Sequence, residues 1–243
     1  MTRTLLGMLT PSSNTALEPA TAAMLAGLPD VSAHFSRFPV TEIALSERAL
    51  AQFDDAPILA AAELLAHARV HAIAWNGTSS GWLGFEADER LVARIQERTG
   101  IPATTSMLAL TELLAAQGAR RVGFVTPYLD AVQERIVANY TTLGCACVAE
   151  RHLGLQDNFS FSEVPEETLA GMIRAVAAEK PDAIAIICTN LRSAHLVAAL
   201  EAETGIAIYD STATAVWKSL LLAGADPSRV EGWGGLFARR GVA

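Results

Sequence analysis

Short apolar runs alternate along this chain with longer segments whose apolar residues recur every three or four positions. Runs of the first kind cover residues 5–10, 31–38, 70–76, 103–105, 122–126, 145–151, 183–188 and 206–209 and predict β-strands. Segments of the second kind cover 86–99, 106–117, 130–143, 165–179, 193–204 and 212–223 and predict amphipathic helices. A further helical pattern covers 47–68, with Pro57 dividing it. Gly100, Gly118, Gly144 and Gly205 stand where helix-closing residues are expected. Strands alternating with helices predict an α/β protein whose parallel sheets are covered by helices.

The same signals recur in the same order in two halves. Thr10-Pro11 ends the first strand of one half and Thr126-Pro127 ends the first strand of the other. Gly77-Thr78-Ser79 corresponds to Cys188-Thr189-Asn190, and Thr104-Thr105-Ser106 to Asp210-Ser211-Thr212, each of the latter pair preceding a helix. The expected architecture is therefore two pseudo-symmetric parallel-sheet α/β domains with the active site in the cleft between them. Residues 1–106 form the first half and 107–212 the second, with the C-terminal segment 213–243 packing back on the first. Hinges are expected near 105–108 and 211–214.

Composition narrows the possible functions. With 243 residues, 51% of them hydrophobic, the chain can bury a substantial core, and disorder is not expected. No run is apolar and long enough to span a bilayer, and the N-terminus reads as a strand rather than a signal peptide, so no membrane association and a cytoplasmic location are expected. A formal charge of −8 argues against nucleic acid as a partner, because phosphate contacts need clustered Lys and Arg. It leaves room for a small carboxylate held by backbone N–H groups and hydroxyls. Three cysteines do not suggest a disulfide framework, and the five histidines show no ligand spacing, so no metal is expected. The oligomeric state is open at this level.

The candidate chemistry lies at the strand ends, where ligands bind in open α/β sheets. The run 183–187 leads into Cys188-Thr189-Asn190, and the run 70–75 leads into Asn76-Gly77-Thr78-Ser79-Ser80. One half thus carries a thiol where the other carries Gly77. Most free cysteines are inert packing, and Cys145 and Cys147, inside a strand run without polar neighbours, are read that way. Cys188 differs in standing just before polar residues, where the following N–H groups can stabilise a thiolate. The loop from Gly77 to Gly81 is either a plain turn or an anion cradle of N–H groups and hydroxyls. Asn14 either caps the next helix or faces a carboxylate; Tyr128 is a loop aromatic or a hydroxyl donor; Asn158 is a turn residue or part of the pocket.

Taken together, these residues resemble the aspartate/glutamate racemase superfamily, in the branch of arylmalonate decarboxylases and maleate cis–trans isomerases. The resemblance covers essentially the whole chain. It rests on Pro11-Ser12-Ser13-Asn14-Thr15 with Glu18, Gly77-Thr78-Ser79, Thr126-Pro127-Tyr128, Asp157-Asn158 and Cys188-Thr189-Asn190. It implies cofactor-independent, metal-independent chemistry on a mono- or dicarboxylate. Racemases of this superfamily use one cysteine per half. Maleate isomerases are similar to this chain at Asn14, Tyr128, Asn158 and Cys188-Thr189-Asn190, but their nucleophilic first-half cysteine falls at Gly77. Arylmalonate decarboxylases have Gly-Thr-Ser at that place and keep only the second cysteine. After that cysteine they carry glycines, where this chain has Thr189-Asn190.

The expected function is decarboxylation of a substituted malonate or similar dicarboxylate. Cys188 is the catalytic proton donor. Thr78, Ser79, Tyr128, Thr189, Asn190 and Asn14 bind the carboxylate or the developing oxyanion, and Gly77, Val40, Ile43 and Asn158 contribute to the pocket. The alternative is a maleate isomerase- or racemase-like enzyme with a non-thiol second group. A non-catalytic dicarboxylate sensor ranks last.

Overall fold

The structure is a computed structural model and describes residues 3–239. Eight parallel strands form two four-stranded sheets. The first contains β1 (Thr4–Pro11), β2 (Val31–Phe38), β3 (Ala72–Trp75) and β4 (Ala103–Thr105), in the order β2-β1-β3-β4. The second contains β5 (Arg121–Thr126), β6 (Ala146–His152), β7 (Ala183–Ile186) and β8 (Ala207–Asp210), in the order β6-β5-β7-β8. The two orders are the same, offset by one half of the chain. β3 and β7 are buried along their whole length, which is why both read as unbroken apolar runs rather than alternating ones.

The helices are α1 (Leu17–Leu25), α2 (Glu47–Leu50), α3 (Asp55–His67), α4 (Ser80–Leu83), α5 (Phe85–Thr99), α6 (Ser106–Gln117), α7 (Asp130–Thr142), α8 (Glu166–Ala177), α9 (Val197–Thr204) and α10 (Ser211–Leu222). Gly100 and Gly205 close α5 and α9 in the left-handed conformation at φ 69° and 70°, which glycine adopts without a Cβ penalty. α10 leaves the second sheet after β8 and packs on α1, β3 and β4 of the first, and against α6. Thr214 Oγ1 donates to the Ser106 carbonyl at 2.9 Å, and Lys218 pairs with Glu112 at 2.6 Å along that contact. The segment after α10 touches both halves: Arg229 pairs with Asp30, and the Gly235 N–H donates to Glu201 in α9 at 2.6 Å.

Two sequence expectations need correction. The helical pattern over 47–68 is broken before Pro57 and not by it. α2 gives way to a 3-10 turn over Ala51–Phe53, and the Asp54 side chain accepts the Ala56 N–H to start α3. Pro57 falls in the first turn of α3, where its missing N–H would have no helical partner. The expected strand over 183–188 ends at Ile186; the Ile187 N–H makes one more bond, to the Val125 carbonyl at 3.0 Å, and the chain then leaves the sheet. In the first half the Asn76 N–H makes the same bond to the Leu9 carbonyl at 3.1 Å. Asn76 and Ile187 are thus equivalent, and so are the residues that follow them, Gly77 and Cys188.

Candidate active site

The strand ends of the two sheets face each other, and the loops they carry are tied together across the cleft. The segment after β2 pairs with the segment after β6: the Ile43 N–H donates to the Gln156 carbonyl at 2.9 Å, and the Asn158 N–H to the Thr41 carbonyl at 3.0 Å. The Asn190 side chain accepts the N–H groups of Thr15 at 2.9 Å and Ala16 at 3.2 Å and donates to the Asn158 carbonyl at 2.5 Å. Asn14 accepts the N–H groups of Ala16 and Leu17 at 3.0 and 2.9 Å, and its Nδ2 donates to Thr189 Oγ1 at 3.2 Å. Thr189 Oγ1 in turn donates to the Asn76 carbonyl at 2.9 Å.

Between these loops lies a small cavity, about 20 Å³ in volume, lined by Pro11, Val40, Ile43, Phe53, Gly77, Thr78, Trp82, Tyr128, Asn158, Cys188 and Thr189. Of the residues expected at the site, Cys188, Gly77, Thr78, Tyr128, Thr189, Asn158, Val40 and Ile43 meet here. Ser79, Asn190 and Asn14 are buried beside it and do not line it. The side chains of Asn14 and Asn190 are engaged with backbone groups and with Thr189, so what they visibly do is hold the two halves together. Phe53 and Trp82 line the cavity without having been singled out from the sequence. Phe53 ends the 3-10 turn after α2, and its placement depends on how the two halves close. Trp82 follows the Gly77–Ser80 turn in α4, and an aromatic so close to a candidate anion loop was the available signal.

Tyr128 is the centre of the arrangement. Its ring is fully buried, edge-on to Trp82 at 5.2 Å and to Phe161 at 5.6 Å between centroids. Its hydroxyl bonds Thr78 Oγ1 at 2.7 Å across the cleft and lies near enough to the Cys188 thiol to favour its ionised form. Burial, reinforced by any charge on Cys188, pushes the phenol well above its usual pKa, so the hydroxyl keeps its proton and remains a donor.

Cys188 is buried at the point where the chain leaves β7. Its N–H donates to Ser211 Oγ at 3.1 Å, and its sulfur accepts the Asn190 N–H at 3.4 Å. Burial pushes the thiol up to about 12, although the Asn190 N–H, the Tyr128 hydroxyl and the Leu191 N–H all pull it down. The resting group is therefore a protonated thiol, already surrounded by donors that favour the thiolate once a proton has been given away. Among the described residues, no Lys, Arg, His, Asp or Glu lines the cavity. A carboxylate there must be recognised by neutral donors: the Tyr128 and Thr78 hydroxyls and the N–H groups of the two strand-end loops. The N–H groups of Thr78, Ser79 and Thr189 make no hydrogen bond among the described residues. That of Asn190 is directed at the Cys188 sulfur.

The profile of the arylmalonate decarboxylase family matches residues 6–237. The chain belongs to this family. It is 31% identical over 164 residues to the arylmalonate decarboxylase of Bordetella bronchiseptica, covering 66% of this chain and 68% of that one. It is 28% identical over 248 residues to a maleate isomerase of Nocardia farcinica, covering 95% and 94% of the two chains. A structure of the Pseudomonas putida S16 maleate isomerase with maleate superposes with a TM-score of 0.86 at 26% identity, over 97% of each chain. The chain is thus an enzyme of the arylmalonate decarboxylase and maleate isomerase family, with that family's fold. Among its described residues, no helix is long and apolar enough to cross a membrane.

Proposed function

We propose that this enzyme is a cofactor-independent decarboxylase acting on a substituted malonate or similar dicarboxylate. The observation that carries this reading is the lone thiol: Cys188 faces the cavity from one half, while the equivalent position of the other half is Gly77. A single buried acid supplies a proton to one face of a carbon and has no partner on the other.

One substrate carboxylate is held by the Tyr128 and Thr78 hydroxyls and by the N–H groups of Thr78 and Thr189. The other lies against Val40, Ile43, Phe53 and Trp82, where no charge and few donors compensate for lost hydration. Breaking the bond to the second carboxylate releases carbon dioxide and leaves its electron pair on the held carboxylate as an enediolate. The fixed donors bind that charge more strongly than they bind the starting carboxylate, which lowers the barrier. Cys188 then gives its proton to the α carbon and becomes a thiolate, and a proton from solvent restores the thiol. A thiol near pKa 12 suits this task, since it is protonated throughout the neutral range and gives up its proton only to a strongly basic carbon.

A maleate isomerase-like activity is the second reading. It is favoured by the nearly full-length similarity to maleate isomerases. Against it stands Gly77, at the place where the first-half nucleophile of those enzymes falls. The test is release of carbon dioxide from a panel of α-substituted malonates, with Cys188→Ala as control. Turnover that disappears in the variant supports the proposal; equal turnover in wild type and variant rejects it.

A further inference from the structure

Position 77 has no room for a side chain. A Cβ built on Gly77 would overlap the indole of Trp75, with Cε2 and Cη2 at 2.6 Å and Cζ2 closer still. Gly77 follows two residues after Trp75, the last residue of β3, and the far edge of the Trp75 indole is turned over the place that a residue 77 side chain would fill. In the second half the equivalent pair is Ile186 and Cys188, and there a branched aliphatic chain leaves the thiol its space. In the first half the corresponding residue is tryptophan, 2% exposed, tilted against Phe38 at 6.3 Å between centroids. Its buried indole N–H has no hydrogen-bond partner in the structure. That ring is therefore held by packing, and it is packed over Gly77.

We infer that Trp75 is the specificity-determining residue that confines this enzyme to single-thiol chemistry, because its indole fills the volume that a side chain at position 77, the counterpart of Cys188, would occupy. The inference deepens the decarboxylase reading and rests on it for its chemical consequence, but its steric half stands apart. A cysteine at 77 is not accommodated while Trp75 is present. With Trp75 reduced to leucine, it is. Two thiols could then interconvert the enantiomers of an α-substituted carboxylate. One sulfur, as thiolate, takes the α proton from one face, and the other gives its proton to the opposite face, with no net change in charge or oxidation state.

The experiment is a cycle of Trp75→Leu, Gly77→Ala and their combination, followed by thermal unfolding, with Gly77→Cys tested in both backgrounds for racemisation. In the Trp75 background, Gly77→Ala should lower the melting temperature by about 5 °C, the usual effect of overpacking in a chain of this size. In the Trp75→Leu background the same change should shift it by less than about 2 °C. Gly77→Cys alone should not racemise an enantiopure α-substituted carboxylate, and Trp75→Leu/Gly77→Cys should. Equal shifts in the two backgrounds would overturn the steric inference whatever the wild-type enzyme catalyses. Racemisation by Gly77→Cys alone, or none by the folded double variant, would overturn the claim that Trp75 withholds the second face. If the cycle shows coupling and wild type releases no carbon dioxide from malonates, the steric inference stands and the decarboxylase reading fails.

Discussion

Replacing Tyr128 with phenylalanine removes one oxygen from the centre of the site and little else. The ring stays between the edges of Trp82 and Phe161, so its packing survives. The 2.7 Å bond to Thr78 Oγ1 disappears, and so does the hydroxyl's influence on the Cys188 thiol. The loss of folding stability is that of one neutral hydrogen bond with a buried threonine left behind, about 1–2 kcal/mol. The loss in catalysis should be larger, because the hydroxyl is a fixed donor aimed at the carboxylate that becomes an enediolate. Removing one such donor typically lowers turnover about 100- to 1,000-fold, or roughly 3–4 kcal/mol of transition-state stabilisation. If the donor acts mainly on the transition state, kcat and kcat/KM fall together and KM changes little. The variant also loses a contact that lowers the Cys188 pKa, so any loss of activity at high pH should move further up and not down. Steady-state kinetics of carbon dioxide release across alkaline pH, alongside thermal unfolding, measure all of these. A folded variant within about twofold of wild-type turnover would refute the assignment of Tyr128 as an oxyanion donor.

Cys188→Ser should keep the fold and lose at least about 100-fold in turnover, as expected when a general acid is replaced by a much weaker one; retention of the wild-type rate would remove Cys188 from the chemistry. Asn190→Ala should destabilise the protein by about 1–3 kcal/mol, because it removes the partner of the Thr15 N–H and of the Asn158 carbonyl while the Ala16 N–H keeps its bond to Asn14, and chemical denaturation would detect the loss. Asp88 is buried against Thr105 and burial raises its pKa to about 7. With the folded-state pKa above the unfolded one, its protonated form favours folding: stability is full below about pH 4 and declines as pH rises through 7. Asp88→Asn should abolish that decline and be the more stable protein at pH 8 by up to about 4 kcal/mol; parallel stability–pH curves for the two proteins would contradict it.

Much of the fold was legible because the relevant signals are local. The strands at Val31–Phe38 and Ala103–Thr105 and the helix Ser106–Gln117 begin and end as their apolar periodicity and turn residues predict. The pairing of Gly77 with Cys188 was legible as well, since both follow a buried strand in repeated surroundings. Asn14 and Asn190 show where such reading stops. An amide in a polar loop looks the same whether it binds an anion or staples backbone, and only the closed cleft reveals Asn190 joining Thr15, Ala16 and Asn158. Phe53 reaches the cavity because the two halves close over it, a long-range event with no local pattern. The overlap of Trp75 with Gly77 lay between legible and hidden. Their closeness along the chain is plain in the sequence, but the direction of the indole is set by its packing.

The most direct test of single-thiol chemistry is to convert a prochiral α-substituted malonate in deuterated water and analyse the product by proton NMR and chiral chromatography. The expected product has lost one carboxyl group, carries one deuterium at the α carbon and is a single enantiomer, because only Cys188 supplies the proton. A racemic product, or conversion of maleate to fumarate with no carbon lost, would contradict it.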